Sequence, residues 1–468
     1  MKKKVVSFLL SSVLAAGMLA GCGSSEATSS SAASAGSTSE ASSAAAESEE
    51  AAPAEEAEST STETAAASDE LPAGGEDVTL SMMVTTRPST GQKDFFLDYI
   101  PELVEEKYPN IHIEVEQLPT DQYKQTIRLK FASDQGPDLF TWWPQMQAQD
   151  LVENGYVKDM SDFPLLDKFN PDIVKDYTYD GKTYAVPLGT SFLTTWYNKD
   201  MFKEVGIEDV PQNWDEFLDD CQKLKDAGHT PITCGDKQSF VMQFAMYQIG
   251  ASEIYAENPD FDSQLFDGTT KFTDPQWVDT VSKLAELYQK GYVIDNSLGL
   301  SQDQSRQAFV DGQAAMIFDG SFGYDALNKE GFEKGMFPIP SNEKDGKFVY
   351  NLTPSNGIWV SANADEKKQE AIEAVLEYWF TEGTPLFQKY TEMATDIPCY
   401  EGVSDHRELI NDYIERYKDD QSIYNLNNAW PEGVSDAMCT EFQNVISGTS
   451  TPEKVCQVMQ DKFDELNK

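Results

Sequence analysis

Val78-Thr79-Leu80-Ser81-Met82-Met83-Val84 and, further on, Asp138-Leu139-Phe140-Thr141 bracket the stretch whose reading decides the fold. The first run reads as a strand that gives way to a polar turn over Thr85 to Gly91. A helix is predicted from about Lys93 to Lys107, because Phe96, Leu97, Ile100, Leu103 and Val104 recur at helical spacing. His112-Ile113-Glu114-Val115-Glu116 alternates as a strand, Asp121 to Ala132 reads as a helix, and Asp138 to Thr141 as a third strand. Strands alternating with helices of this length imply an α/β fold with a mostly parallel sheet, right-handed crossovers and both faces covered. Open sheets of this kind bind ligands beyond the carboxyl ends of their strands. The candidate loops are therefore Thr85 to Ser89 and Trp142 to Gln145.

Downstream the chain is richer in helices. Asn213 followed by Glu216 makes a capping-box-like start to a helix carrying Phe217, Leu218, Cys221 and Leu224, which Gly228 should end. Asp274-Pro275 opens another, with Trp277, Val278, Val281, Leu284, Ala285 and Tyr288 on one side and Gly291 as the stop. Later helices are predicted from about Glu366 to Phe380 and from Pro452 to Leu466. Most aromatics on these faces read as core packing, and no repeat of fixed period is apparent.

Upstream, Lys2, Lys3 and Lys4 precede an apolar run from Val5 to Ala20, which reads as a secretory signal. The run is shorter than the roughly 20 apolar residues a membrane span needs, and it ends in Leu19-Ala20-Gly21-Cys22. That ending resembles the bacterial lipobox, which implies a diacylglycerol on the Cys22 thiol and cleavage after Gly21. From Gly23 to Asp77 the chain is almost entirely Ser, Ala, Thr, Glu and Gly, with thirteen acidic residues and no Lys or Arg. Such a segment cannot bury enough apolar surface to offset chain entropy and reads as a disordered tether, with a root-mean-square span of roughly 40 Å.

The whole chain carries a net charge of −45; removing +3 for the signal and −13 for the tether leaves −35 on Val78 to Lys468. A surface that acidic argues against nucleic acid or anionic lipid as a partner. Beyond Cys22 the cysteines are Cys221, Cys234, Cys399, Cys439 and Cys456, an odd number with no metal-type spacing. Cys439 with Cys456 is one pairing to consider, and buried free thiols are the other. His112, His229 and His406 show no metal-binding spacing, and there is no GxSxG, HExxH, Walker A or dinucleotide fingerprint, so no cofactor is implied.

Three collinear blocks are more specific. They are Tyr179-Asp180-Gly181-Lys182-Thr183-Tyr184-Ala185-Val186-Pro187, then Trp196-Tyr197-Asn198-Lys199-Asp200-Met201-Phe202, then Pro211-Gln212-Asn213-Trp214-Asp215-Glu216-Phe217. With Gly136-Pro137-Asp138 and Phe309-Val310-Asp311-Gly312-Gln313-Ala314-Ala315-Met316, they resemble the family 1 extracellular solute-binding proteins, the group of maltose-binding protein and many oligosaccharide receptors of ABC importers. Asn213 departs from the Thr or Ser that usually precedes the Trp.

The resemblance implies a two-lobed fold of the type II periplasmic-binding-protein kind, with the ligand cleft between lobes. It places residues 78–186 and 349–395 in lobe 1 and 187–348 and 396–468 in lobe 2, after a signal at 1–21 and a lipidated tether at 22–77. Crossings between lobes are expected near Tyr184 to Leu188, Phe348 to Leu352 and Met393 to Pro398. The implied function is capture of a carbohydrate by hinge closure and its delivery to the permease of an ABC importer, by a monomer anchored to the cell membrane.

A sugar site wants aromatic plates for C–H faces and short polar groups for hydroxyls. Trp142 and Trp143 follow the third strand, and Trp142 falls on the family's stacking position. Other family contact positions fall on Thr86 and Arg87, on Ser239 and Phe240, and on Asp319 and Phe322, all at strand ends. Ser355, Asn356 and Trp430 are further candidates. The competing readings are a non-sugar solute (a polyamine, a peptide, a phosphorylated compound or a metal complex) and a surface carbohydrate-active enzyme. For the enzyme, paired carboxylates are uninformative in a chain with 80 acidic residues.

Overall fold

Thirteen strands occur among the residues described by the structure, a computed structural model covering 71–86, 93–340, 348–424 and 426–468. They are β1 (Val78–Thr85), β2 (Ile111–Leu118), β3 (Leu139–Trp142), β4 (Thr178–Tyr179), β5 (Lys182–Thr183), β6 (Ala185–Pro187) and β7 (Thr190–Asn198). After these come β8 (Thr230–Thr233), β9 (Ala314–Gly320), β10 (Lys334–Phe337), β11 (Val349–Pro354), β12 (Gly357–Val360) and β13 (Gln421–Ile423). Their order is β2-β1-β3-β12-β6 in one sheet and β13-β11-β7-β9-β8 in a second, to which β10 adds alongside β7. The β4–β5 hairpin stands apart.

In the first sheet β1 runs parallel to both β2 and β3, as the βαβαβ pattern requires. Leu80, Met82 and Val84 point to one face, where they meet Ile100 and Val104 of the Ile100–Lys107 helix and Ile372, Val375 and Trp379 of the Glu366–Phe380 helix. Met83 and Phe140 point to the other, against Tyr123, Ile127 and Phe131 of the Thr120–Ala132 helix. A strand buried on both faces needs apolar residues at successive positions, which Met82-Met83-Val84 supplies.

Pairing is more mixed than a mostly parallel sheet. β12 is antiparallel to β3 and β6, and β7 is antiparallel to β9, β10 and β11. Only β8 with β9 and β11 with β13 pair in parallel in the second sheet.

Two strand assignments move the expected lobe boundaries. β11 pairs with β7 and β13, so residues 349–354 belong to the second sheet, and the crossing falls at Ser355 and Asn356 between β11 and β12 rather than at Phe348 to Leu352. Cys399 and Tyr400 still pack in the first half, through Asn170 N to Cys399 O at 2.8 Å and the Phe169 and Phe387 rings, so the last connection, which passes the hinge at Asp396 and Ile397, keeps first-half contacts as far as Tyr400. Packing contacts also begin before Val78. Ala73 is buried, and Asn110 Nδ2 donates to the carbonyls of Pro72 and Glu76, each at 2.9 Å.

The first crossing, Leu188-Gly189, is held by backbone bonds to the other two: Ser355 N to Gly189 O, Leu188 N to Asn356 O, and a bridge between Thr190 and Ile397. Gly189 has φ +152°, and a Cβ there would sit 2.5 Å from Ile397 O. Only glycine allows this approach. Elsewhere Asn213 caps its helix as well as a Thr would: its Oδ1 accepts from Glu216 N at 2.9 Å while Glu216 accepts from Gln212 N. All five cysteines described are free and buried, which settles against a Cys439–Cys456 bridge. No helix among the described residues is long and apolar enough to cross a membrane.

Candidate functional site

Between the two sheets lies a cleft of about 240 Å³. Its first wall comes from the carboxyl ends of the first sheet: Thr85 at the end of β1 and Thr86 after it, Thr120, Asp121 and Lys124 in the helix after β2, and Trp143 after β3. The facing wall carries Phe240, Phe244 and Phe322, packed edge to face or tilted with centroids 5.5 to 6.1 Å apart. Gln243, Arg306 and Asn428 add amide and guanidinium groups to it. The floor is the hinge, where Ser355 Oγ donates to Asp396 Oδ1 at 2.7 Å and Asn356 Oδ1 is buried with no hydrogen-bond partner among the described residues.

Six of the candidate residues thus meet in one place: Thr86, Trp143, Phe240, Phe322, Ser355 and Asn356. Others do not. Trp142 is 0% exposed; its indole donates to Gln147 O at 2.7 Å and its ring lies 5.7 Å from Tyr123. Consecutive strand residues point to opposite faces, so Trp142, the last residue of β3, turns under the Thr120–Ala132 helix while Trp143 turns to the cleft. Trp430 is equally buried, among Phe272, Trp277 and Tyr247, with its indole on Asp262. Ser239 begins the turn that carries Phe240 but does not line the cleft. Arg87 and Cys22 lie outside the described residues.

Asp319 acts at one remove. It is 1% exposed and receives Arg306 Nε at 2.7 Å and Nη2 at 2.9 Å, a bidentate pair that fixes the guanidinium in the cleft wall. Truncating either partner would strand a buried charge, a loss of about 3–5 kcal/mol.

Sequence reasoning missed Arg306, Asp121, Lys124, Asp396 and Asp436, all of which line the cleft. Asp121 and Lys124 follow β2, and the same strand-end rule that selected the loops after β1 and β3 would have found them. Lys124 Nζ sits 5.3 Å from the Trp143 ring centre and 4.0 Å from Asp436 across the cleft. Asp121 has its carboxyl pushed up from the ordinary range, first by desolvation and then by repulsion from Asp436.

A cleft between two α/β sheets, floored by three backbone-bonded crossings and lined by aromatic plates and short polar groups, suits capture of a small solute. Comparison with known proteins agrees. Residues 103–417 match the family model described as bacterial extracellular solute-binding protein. The multiple sugar-binding protein of Streptococcus mutans is 24% identical over 327 residues, 68% of this chain and 74% of that one. The sn-glycerol-3-phosphate-binding periplasmic protein of Brucella abortus is 26% identical over 231 residues, 48% of this chain and 50% of that one. Among solved structures, a chitin oligosaccharide binding protein superposes with a TM-score of 0.74 at 24% identity, covering 84% of this chain and 99% of its own. The two-lobed architecture is shared, and the chain belongs to the bacterial extracellular solute-binding protein family.

Proposed function

We propose that the protein captures a carbohydrate, specifically an oligosaccharide, in this cleft, closes its lobes on it and hands it to the permease of an ABC importer. The observation that carries the reading is the pairing of Trp143 on one wall with Phe240, Phe244 and Phe322 on the other, interleaved with hydroxyl, amide and guanidinium groups. Aromatic faces match the C–H surfaces of sugar rings, and fixed donors and acceptors match their hydroxyls. Asn356 Oδ1, buried without a partner, supplies an acceptor for a ligand hydroxyl. The names of the Streptococcus mutans relative and of the chitin oligosaccharide binder support the same solute class.

The family is extracellular, so the protein works outside the cytoplasm. Within this reading it acts as a monomer and is held to the membrane by a diacylglycerol on Cys22. The test is calorimetry and thermal shift of the purified protein against neutral mono- and oligosaccharides, since a ligand that binds only the native state raises its melting temperature. A sugar that binds with micromolar or better affinity and compacts the molecule in solution scattering is the expected result. Binding of peptides or polyamines in place of every sugar tried would replace it.

A further inference from the structure

We infer that the cleft is electrostatically closed to anions, so that its solute is uncharged or basic and uronates and phosphorylated compounds are refused. The inference rests on the cleft being the solute site and narrows the carbohydrate class proposed for it. Among the described residues the lining holds three carboxylates, Asp121, Asp396 and Asp436, against two cations, Lys124 and Arg306.

Each cation already has a carboxylate beside it. Arg306 gives Nε and Nη2 to the buried Asp319, and its Nη1 stands 4.0 Å from Asp303. Lys124 stands 4.0 Å from Asp436. Counting Asp319 with its partner, four carboxylates stand against two cations among the described residues. Among the described residues no cation pairs with Asp396, which is 7% exposed and accepts the Ser355 hydroxyl, and Asp121 has Asp436 as a like-charged neighbour as well as Lys124.

The feature that would favour an anion is the amino end of the Thr120–Ala132 helix, whose free N–H groups carry partial positive charge. Asp121 already occupies its first turn. An incoming phosphate or carboxylate would have to enter beside Asp121 and Asp396, where like charges repel. A neutral hydroxyl pays no such penalty, and the same carboxylates accept from it. Arg306 remains useful to a neutral ligand, because a guanidinium fixed by Asp319 can donate through Nη1 without recruiting a counter-charge.

The test needs no knowledge of the solute. All eight tryptophans lie among the described residues; seven are buried, and Trp143 is the exception. Its fluorescence therefore reports the potential in the cleft. On the full-length protein, quenching by iodide and by caesium is measured at constant ionic strength and normalised to a free tryptophan amide. Trp143→Phe is subtracted to isolate the signal. Caesium should quench Trp143 at least about twofold more effectively than iodide, and Asp121→Asn combined with Asp436→Asn should narrow that ratio. Iodide quenching equal to or above caesium overturns the inference.

A second arm compares matched solutes by thermal shift: maltotriose with trigalacturonate, and glycerol with sn-glycerol 3-phosphate. An anionic member that stabilises the protein more than its neutral partner also overturns it. If no sugar binds at all, the carbohydrate reading falls, while the quenching ratio still decides the charge preference.

Discussion

Arg128, in the Thr120–Ala132 helix of the first lobe, donates through Nη1 to Glu432 Oε1 of the second lobe at 2.6 Å, while its Nε holds Asp150 at 3.0 Å. One helical turn earlier, Lys124 faces Asp436, so the spacing of four repeats on both sides of the gap. Rotation about the hinge would separate these pairs, so they count toward closure and, through it, toward affinity. Arg128→Glu should open the unliganded molecule in solution scattering and weaken ligand binding by a few-fold to about tenfold, in keeping with a partly exposed ion pair. Combining it with Glu432→Arg should recover most of the loss. Failure of the exchanged pair to recover would show that Arg128 acts through Asp150 alone.

The two adjacent tryptophans should separate cleanly. Trp142→Ala removes a ring buried between Tyr123 and the sheet and should lower stability by about 3–5 kcal/mol with or without ligand. Trp143→Ala should leave the denaturation midpoint of the unliganded protein nearly unchanged and reduce affinity at least about tenfold, as loss of an aromatic anchor of about 2 kcal/mol does. Calorimetry and denaturant melts on both variants check this, and the reverse pattern would put Trp142 back in the site.

Asp236 gives a pH signature independent of the ligand. It is 0% exposed, accepts from Tyr288 OH at 2.9 Å, and burial pushes its carboxyl up to about 6. Unfolded, it titrates near its ordinary value of about 3.9. A raised value means the native state prefers the proton, so this contribution to stability is complete below about pH 4 and lost as pH rises through about 6. The difference corresponds to about 3 kcal/mol. Asp236→Asn, which never ionises, should gain on the wild type by that order between pH 4 and pH 7. A stability gap between the two that does not change with pH would rule this out.

Much of the architecture was legible because it is written locally. The parallel trio of β1, β2 and β3 and the helices Trp214–Asp226, Pro275–Gln289, Glu366–Phe380 and Pro452–Leu466 each follow from periodicity and caps within one short window. The sheet to which Val349–Pro354 belongs was not, since a nearly continuous buried run looks the same whichever neighbours it has. Trp142 and Trp143 were confused because one residue decides where β3 ends. Lys124, Arg306 and Asp436 escaped notice because their meaning comes from segments that only folding brings face to face.

Cys22 is tested by its removal. Cys22→Ala should abolish incorporation of labelled fatty acid and move the protein from the membrane fraction to the soluble extracytoplasmic fraction. Undiminished labelling would place the lipid elsewhere or dismiss it.

At Gly189 the three connecting segments are joined main chain to main chain, with the Asp396 Cβ close beside the Ile397 carbonyl. The bonds of the pivot are therefore backbone bonds, whereas the walls are made of side chains. Replacing Phe240 or Trp143 can retune what is held without altering the arc through which the halves swing. Asn356 and Asp396 are the exceptions, being at once gripping surface and axle, so a solute that bonds to them pulls on the rotation with almost no lever arm.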